Sequence, residues 1–136
     1  MADISITGAN VKLISGPSEQ MKAGASVTAG QIGYKDSATK TAKLADNDSA
    51  TAEIRAVYGM FLHAAAADQP VTVAKSGAVV DVGAVLTAGV DYYLSGTAGA
   101  ICPRADVTTG DDPVRIGMAL TTSRLQLDFN DPNVTL

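Results

Sequence analysis

The sequence predicts an all-β fold, a small β-barrel or sandwich, and three observations carry the prediction. Apolar residues alternate with polar ones in several short runs. Clusters of Gly, Asp, Asn, Ser and Pro separate those runs. Segments about 58 residues apart repeat one another in the same order. Period-two alternation puts one face of a strand in a core and the other in water. Many short strands between regular turn signals are the pattern of a sandwich or barrel.

Along the chain, Ile4 and Ile6 flank Ser5, and Val11 and Leu13 flank Lys12. With Gly8, Gly16 and Pro17 among them, residues 1–23 are expected to form an N-terminal extended arm or hairpin. An arm would suit strand addition to a neighbouring subunit, while a hairpin would be an ordinary first element of the domain. Val71 and Val73 flank Thr72 after Pro70, and Leu125, Leu127 and Phe129 alternate with Arg124, Gln126 and Asp128. Turn clusters fall at Ser15 to Ser18, Asp46 to Ser49, Asp68 to Pro70 and Gly110 to Pro113. Two stretches compete as helix. Ser49 to Arg55 has room for one short helix, and the alanines from Ala64 to Ala67 favour a single helical turn or a plain turn, since so short a run cannot nucleate alone.

The repeat has several pieces in register. Gly24-Ala25-Ser26-Val27-Thr28-Ala29-Gly30 matches Gly83-Ala84-Val85-Leu86-Thr87-Ala88-Gly89, and Tyr34 then matches Tyr93. Tyr58 to Leu62 matches Ile116 to Leu120 through the shared Gly-Met-x-Leu, and Ala45-Asp46 loosely matches Ala105-Asp106. These matches imply a β domain over residues 24–136 made of two related units, about 24–79 and 80–136. Thr-Ala-Gly is expected to close a tight turn with Gly at positive φ. The Tyr that follows is expected on the next strand, ring to the core and hydroxyl at an edge. The Gly of Gly-Met-x-Leu is expected at a bulge or a close approach of backbones.

Composition narrows the function classes. The 136 residues are 46% hydrophobic but only 4% aromatic, with no Trp. A chain of this length buries roughly two thirds of its unfolded surface and needs no disulfide or metal staple. A core of Ala and β-branched residues brings less buried area than an aromatic one, so added stability from self-association or from a host surface is expected. The net charge of -4 is scattered, with no basic stripe of the kind that displaces counterions from phosphates, so no nucleic-acid partner is expected. Cys102 is the only cysteine, which excludes an internal disulfide. No apolar run reaches the length of a membrane helix, and the opening Met1-Ala2-Asp3-Ile4 does not resemble a signal peptide. Neither a membrane partner nor secretion is expected.

The residues that bear chemistry do not assemble into a recognisable catalytic or metal motif. His63, the single histidine, sits between Leu62 and Ala64 with no carboxylate close in sequence, and reads as a surface or edge residue. Cys102 lies in Ile101-Cys102-Pro103 near Arg104. Pro103 argues for an extended segment instead of a helix start, and a small buried thiol is expected. Asp46-Asn47-Asp48-Ser49 and Asp111-Asp112 are adjacent acids without the alternating spacing and final acid of a calcium loop, so Asx-type turns are expected at both. Asn130-Asp131-Pro132-Asn133 reads as a turn. Gly96-Thr97-Ala98-Gly99 reads as a hairpin turn, since it lacks the Lys of a phosphate loop. The expectation is a protein that is not an enzyme, with no catalytic residues, no cofactor and no metal.

Several segments together resemble a known family. They are Met1 to Thr7, Thr28 to Tyr34, Lys43 to Ala50, Gly59 to Ala66 with Gln69-Pro70-Val71, Tyr93 to Pro103, and Gly117-Met118-Ala119. In their order over nearly the whole chain they are similar to bacteriophage head decoration, or capsid cement, proteins, often called simply phage structural proteins. The resemblance implies a β-rich virion protein made in the host cytoplasm and bound to the outside of the capsid. It implies two partners: the major capsid protein, whose neighbouring subunits it bridges, and further copies of itself, a trimer being favoured over a dimer. Some similar sequences are called head-fibre or tail proteins, which implies the alternative of a host-surface, carbohydrate-binding role. That role would prefer exposed aromatics, and the chain has four Tyr and two Phe. A third reading, a small β-barrel enzyme, would need a polar site gathered around His63 or the Asp pairs.

Overall fold

The computed structural model describes residues 3, 4, 6–48 and 51–130. Those residues form eleven strands and one short helix, and the strands make two antiparallel sheets. The strands are β1 (Lys12–Ser15), β2 (Ser18–Lys22), β3 (Ile32–Lys35), β4 (Ala42–Leu44), β5 (Gly59–Phe61), β6 (Pro70–Ala74), β7 (Val79–Asp81), β8 (Asp91–Leu94), β9 (Ile101–Pro103), β10 (Arg115–Ala119) and β11 (Arg124–Asn130). The helix, α1, is Ala52–Arg55 and falls in the stretch expected to hold one. The Ala64 to Ala67 run is not helical. Val27 and Ala65 exchange backbone hydrogen bonds there, and the chain turns at Asp68.

One sheet has the order β2-β6-β5-β3-β4 and the other β1-β7-β11-β10-β8-β9. Without β1, the second order is the first with every strand moved five places along the chain. Register agrees as well. Gly33, Tyr34 and Lys35 face Leu44, Lys43 and Ala42, and Tyr92, Tyr93 and Leu94 face Pro103, Cys102 and Ile101. Gly33 faces Gly59 and Ile32 faces Met60, as Tyr92 faces Gly117 and Asp91 faces Met118.

The repeated motifs do the same local work in both sheets. Thr28-Ala29-Gly30 and Thr87-Ala88-Gly89 each close a turn, with Gln31 N–H and Val90 N–H donating to the Thr28 and Thr87 carbonyls. Gly30 and Gly89 have φ of +88° and +82°, a conformation that costs any residue with a Cβ. Gly59 and Gly117 sit where the next strand passes close by. A Cβ on Gly117 would lie 2.0 Å from the Gln126 carbonyl oxygen, and one on Gly59 2.8 Å from the Ala74 oxygen. The ladder is also irregular between Arg115 and Gly117, at the expected bulge. The tyrosines are less alike than expected. Tyr34 is buried in the core, but in β8 that place goes to Tyr92, whose hydroxyl accepts from Thr87 N–H, and Tyr93 is half-buried opposite Cys102.

The main core lies between the sheets. It joins Ile32, Tyr34, Met60 and Ala74 of one sheet to Val80, Tyr92, Leu94, Ile116, Leu125 and Leu127 of the other. A second cluster of Val27, Phe61, Val71 and Val73 fills the opposite face of the five-stranded sheet. Alternation in β11 is as the sequence predicts, with Leu125 and Leu127 buried and Phe129 packed against the main core. The architecture is sandwich-like, and no barrel closes among the described residues. The edges of the five-stranded sheet meet only at one end, through a parallel bridge between Ala23 and Ala42. Ile4 and Ile6 form no regular strand, but both pack on the main core, and Ile4 N–H donates to the Ile101 carbonyl.

Candidate functional site

Residues 12–22 supply one strand to each sheet, joined through a bend at Gly16, where φ is +100°, and Pro17. β1 pairs with β7 and β2 with β6, and between them Lys75 N–H donates to the Pro17 carbonyl (3.0 Å). β1 and β2 are therefore the outermost strands of their sheets on the same side of the molecule, and their outer edges form one long border. All residues of this border except Leu13 and Met21 are exposed. The backbone at the middle of β2 faces out. Thr72, opposite Gln20, donates its N–H to His63 Nε2 and accepts from Leu62 N–H, so both its groups point to β5. In an antiparallel ladder the residue opposite such a position turns its own N–H and C=O the other way. Gln20 thus presents a donor and an acceptor to a further strand.

Side chains beside this border are held in place. Tyr58 donates its hydroxyl to Glu19, and that bond, with burial, raises the Tyr58 pKa. The Lys75 ammonium lies 3.1 Å from the Tyr58 ring centroid and donates to the Tyr58 carbonyl (2.7 Å), and burial lowers its pKa. Among the described residues, the exposed large apolar side chains are Ile14, on the border, and Val85 and Leu120. Val85 and Leu120 lie on loops tied together by Leu86 N–H donating to the Thr122 carbonyl (2.9 Å).

A polar centre forms where the loop after β4, α1 and the segment before β10 meet. Asn47 is 1% exposed and Asp112 2%. Asn47 Nδ2 donates to the Leu94 carbonyl (2.7 Å), Asn47 N–H to the Ser95 carbonyl (3.2 Å), and Asp112 N–H to the Asn47 carbonyl (3.0 Å). Arg55 Nε lies 3.2 Å from Asp112 Oδ2, an ion pair of a half-buried guanidinium with a buried carboxylate that links α1 to the segment before β10. Asp46 forms the expected Asx turn, accepting from Asp48 N–H (3.2 Å), and Asp111 accepts from Thr108 N–H (3.0 Å). Asp112 departs from the expectation. It is a buried ion-pair partner, and its distance in sequence from Arg55 hid the pair.

The other candidates are dispersed. His63 is exposed, its Nδ1 3.0 Å from the Ala64 carbonyl, its Nε2 accepting from Thr72 N–H. Cys102 is buried in β9, and burial, with the charges of Asp3, Asp106 and Asp111, pushes its thiol up to about 12. Gly96 to Gly99 is the turn between β8 and β9, with Ser95 N–H donating to the Ala100 carbonyl (3.0 Å). Of Asn130 to Asn133, only Asn130 is among the described residues. No three His, Cys, Asp or Glu side chains among the described residues converge as metal ligands, and no helix there is long and apolar enough to cross a membrane. No protein-family model matches the chain, and comparison with curated proteins finds no match.

Proposed function

We propose that this chain is a bacteriophage virion protein that decorates the capsid exterior and stabilises the expanded shell by bridging major capsid subunits. The observation that carries the reading is the exposed border of residues 12–22, which offers outward backbone groups at Gln20 over a stretch spanning both sheets. Such an edge is where an extended segment of a partner adds as a further strand. Ile14, Val85 and Leu120 add exposed apolar side chains outside the core. The resemblance of ordered segments along the chain to capsid cement proteins supports the same role.

In this reading the two sheets descend from one duplicated unit, which accounts for matched strand orders and registers. β1 is the element without a counterpart. Copies associate on the shell, as trimers in preference to dimers, and each contact need only be modest. A protein that binds the expanded shell and not its precursor stabilises the expanded form by mass action.

The test is co-sedimentation of the purified protein with expanded heads stripped of small proteins, with unexpanded proheads as the control. Saturable binding to expanded heads alone, at a fixed ratio to capsid subunits, is the expected result. Binding to isolated tails and to neither head form would replace this reading with a tail or fibre role directed at host sugars.

A further inference from the structure

We propose that the open edge of β2 takes an extended acidic segment of the partner, one that sets a carboxylate opposite Lys22. The proposal rests on the docking role given to residues 12–22 above and adds the partner's chemistry. β2 and β7 hold the same place in the two strand orders. β7 has a further strand, β1, on its outer side, and β2 has none among the described residues. The covered edge of β7 is therefore a template for the open edge of β2.

The two edges correspond residue by residue. Lys22 and Asp81 end their strands at the same place before the repeated Gly24 and Gly83. Each faces the first residue of its inner neighbour, Pro70 of β6 and Arg124 of β11. On the covered edge, β1 runs antiparallel and sets Lys12 opposite Asp81. Opposite charges that face each other across an antiparallel pair stabilise it, and like charges weaken it. On the open edge the charge is reversed, because Lys22 stands where Asp81 does. A strand that adds there as β1 adds to β7 is matched by an acid at that position. β1 of a second copy would bring Lys12 against Lys22, and in each copy β1 is already paired with β7.

The surroundings leave the Lys22 charge to the partner. Lys22 is exposed and forms no ion pair among the described residues. Glu19 is the acid of the same strand, but alternation puts it on the other face, where the Tyr58 hydroxyl donates to it. Lys22 also marks where the open edge stops. Beyond it, Gly24 N–H donates to the Ala42 carbonyl (2.7 Å) and closes the sheet at that end. The partner segment therefore covers Ser18 to Lys22, with its acid at the Lys22 end.

The experiment titrates isotopically labelled full chain with two capped peptides and follows backbone amides by NMR. One peptide has the sequence of residues 11–15 of this chain, and the other is its Lys12→Asp form. Shifts at Gln20 and Lys22, with the Lys12→Asp peptide bound about tenfold more tightly, are expected, and Lys22→Glu should reverse the preference. Equal binding of the two peptides overturns the acidic preference. Absence of any shift over residues 18–22 at millimolar peptide overturns the edge as a strand acceptor. A second arm compares Lys22→Glu with the parent chain on expanded heads, where binding about tenfold weaker is expected. Equal binding there overturns the acidic partner and leaves capsid docking in place. Heads that bind neither protein overturn the capsid reading, and the peptide titration then decides the edge by itself.

Discussion

At the scale of single residues, chemistry follows from burial more than from residue type. Cys102 is a nucleophile by type, yet it lies inside β9 among acids, and its thiol is pushed up to about 12. It therefore stays protonated across the pH range of ordinary alkylation, and the thiolate is the reactive form. Native protein is expected to resist iodoacetamide at pH 8 over hours, and denatured protein to react within minutes. Mass spectrometry of the two samples reads the difference, and equal labelling would contradict the burial. Cys102 was legible as a buried thiol from Ile101 and Pro103 around it. The burial of Asn47 was not. An Asx turn accounts for Asp46-Asn47-Asp48 in sequence, and only the packing of Leu94 and Ser95 over that loop sets the Asn47 amide inside.

At the scale of elements, the Thr-Ala-Gly turns offer an internal comparison. Gly30 and Gly89 share a turn and a positive φ, so alanine at either pays the left-handed cost of about 1–2 kcal/mol. Their surroundings differ. A Cβ at Gly89 meets nothing within 4 Å, while one at Gly30 lies 2.7 Å from Ile6 Cγ2. Gly89→Ala is expected to destabilise by about 1–2 kcal/mol, and Gly30→Ala by about 1–3 kcal/mol more, because Ile6 must be displaced from the core edge. Urea denaturation of both variants measures the gap, and equal losses would mean that Ile6 does not pack there. These turns, the alternation of β11 and the glycines of Gly-Met-x-Leu were legible because each depends on a few neighbouring residues. The exchange of Tyr93 for Tyr92 in the core was not. Which face of β8 is covered depends on the other sheet, and no local pattern carries that.

At the scale of the whole molecule, the all-β class was legible and the division of strands between sheets was not. β1 and β2 adjoin in sequence and read as an arm or hairpin, but they enter different sheets because their partners β7 and β6 do. The Arg55–Asp112 pair is a long-range link of the same kind. Arg55→Met would leave the buried Asp112 carboxylate without this partner, and a loss of about 3–5 kcal/mol is expected. Replacing both by apolar residues, Arg55→Met with Asp112→Leu, should recover most of that loss. Thermal or urea unfolding of the single and double variants distinguishes a desolvated ion pair from a solvated one, for which the single change would cost under about 1 kcal/mol.

Docking of the border at residues 12–22 to a capsid shell, as proposed above, is tested most directly by Gln20→Pro. Proline there removes an outward N–H that no strand among the described residues uses, and edge positions of that kind tolerate it. The measurement is co-sedimentation of Gln20→Pro and parent protein with expanded heads, after circular dichroism shows both folded alike. Binding at least tenfold weaker for the variant is the predicted result. Equal binding of the two folded proteins would contradict docking through this edge.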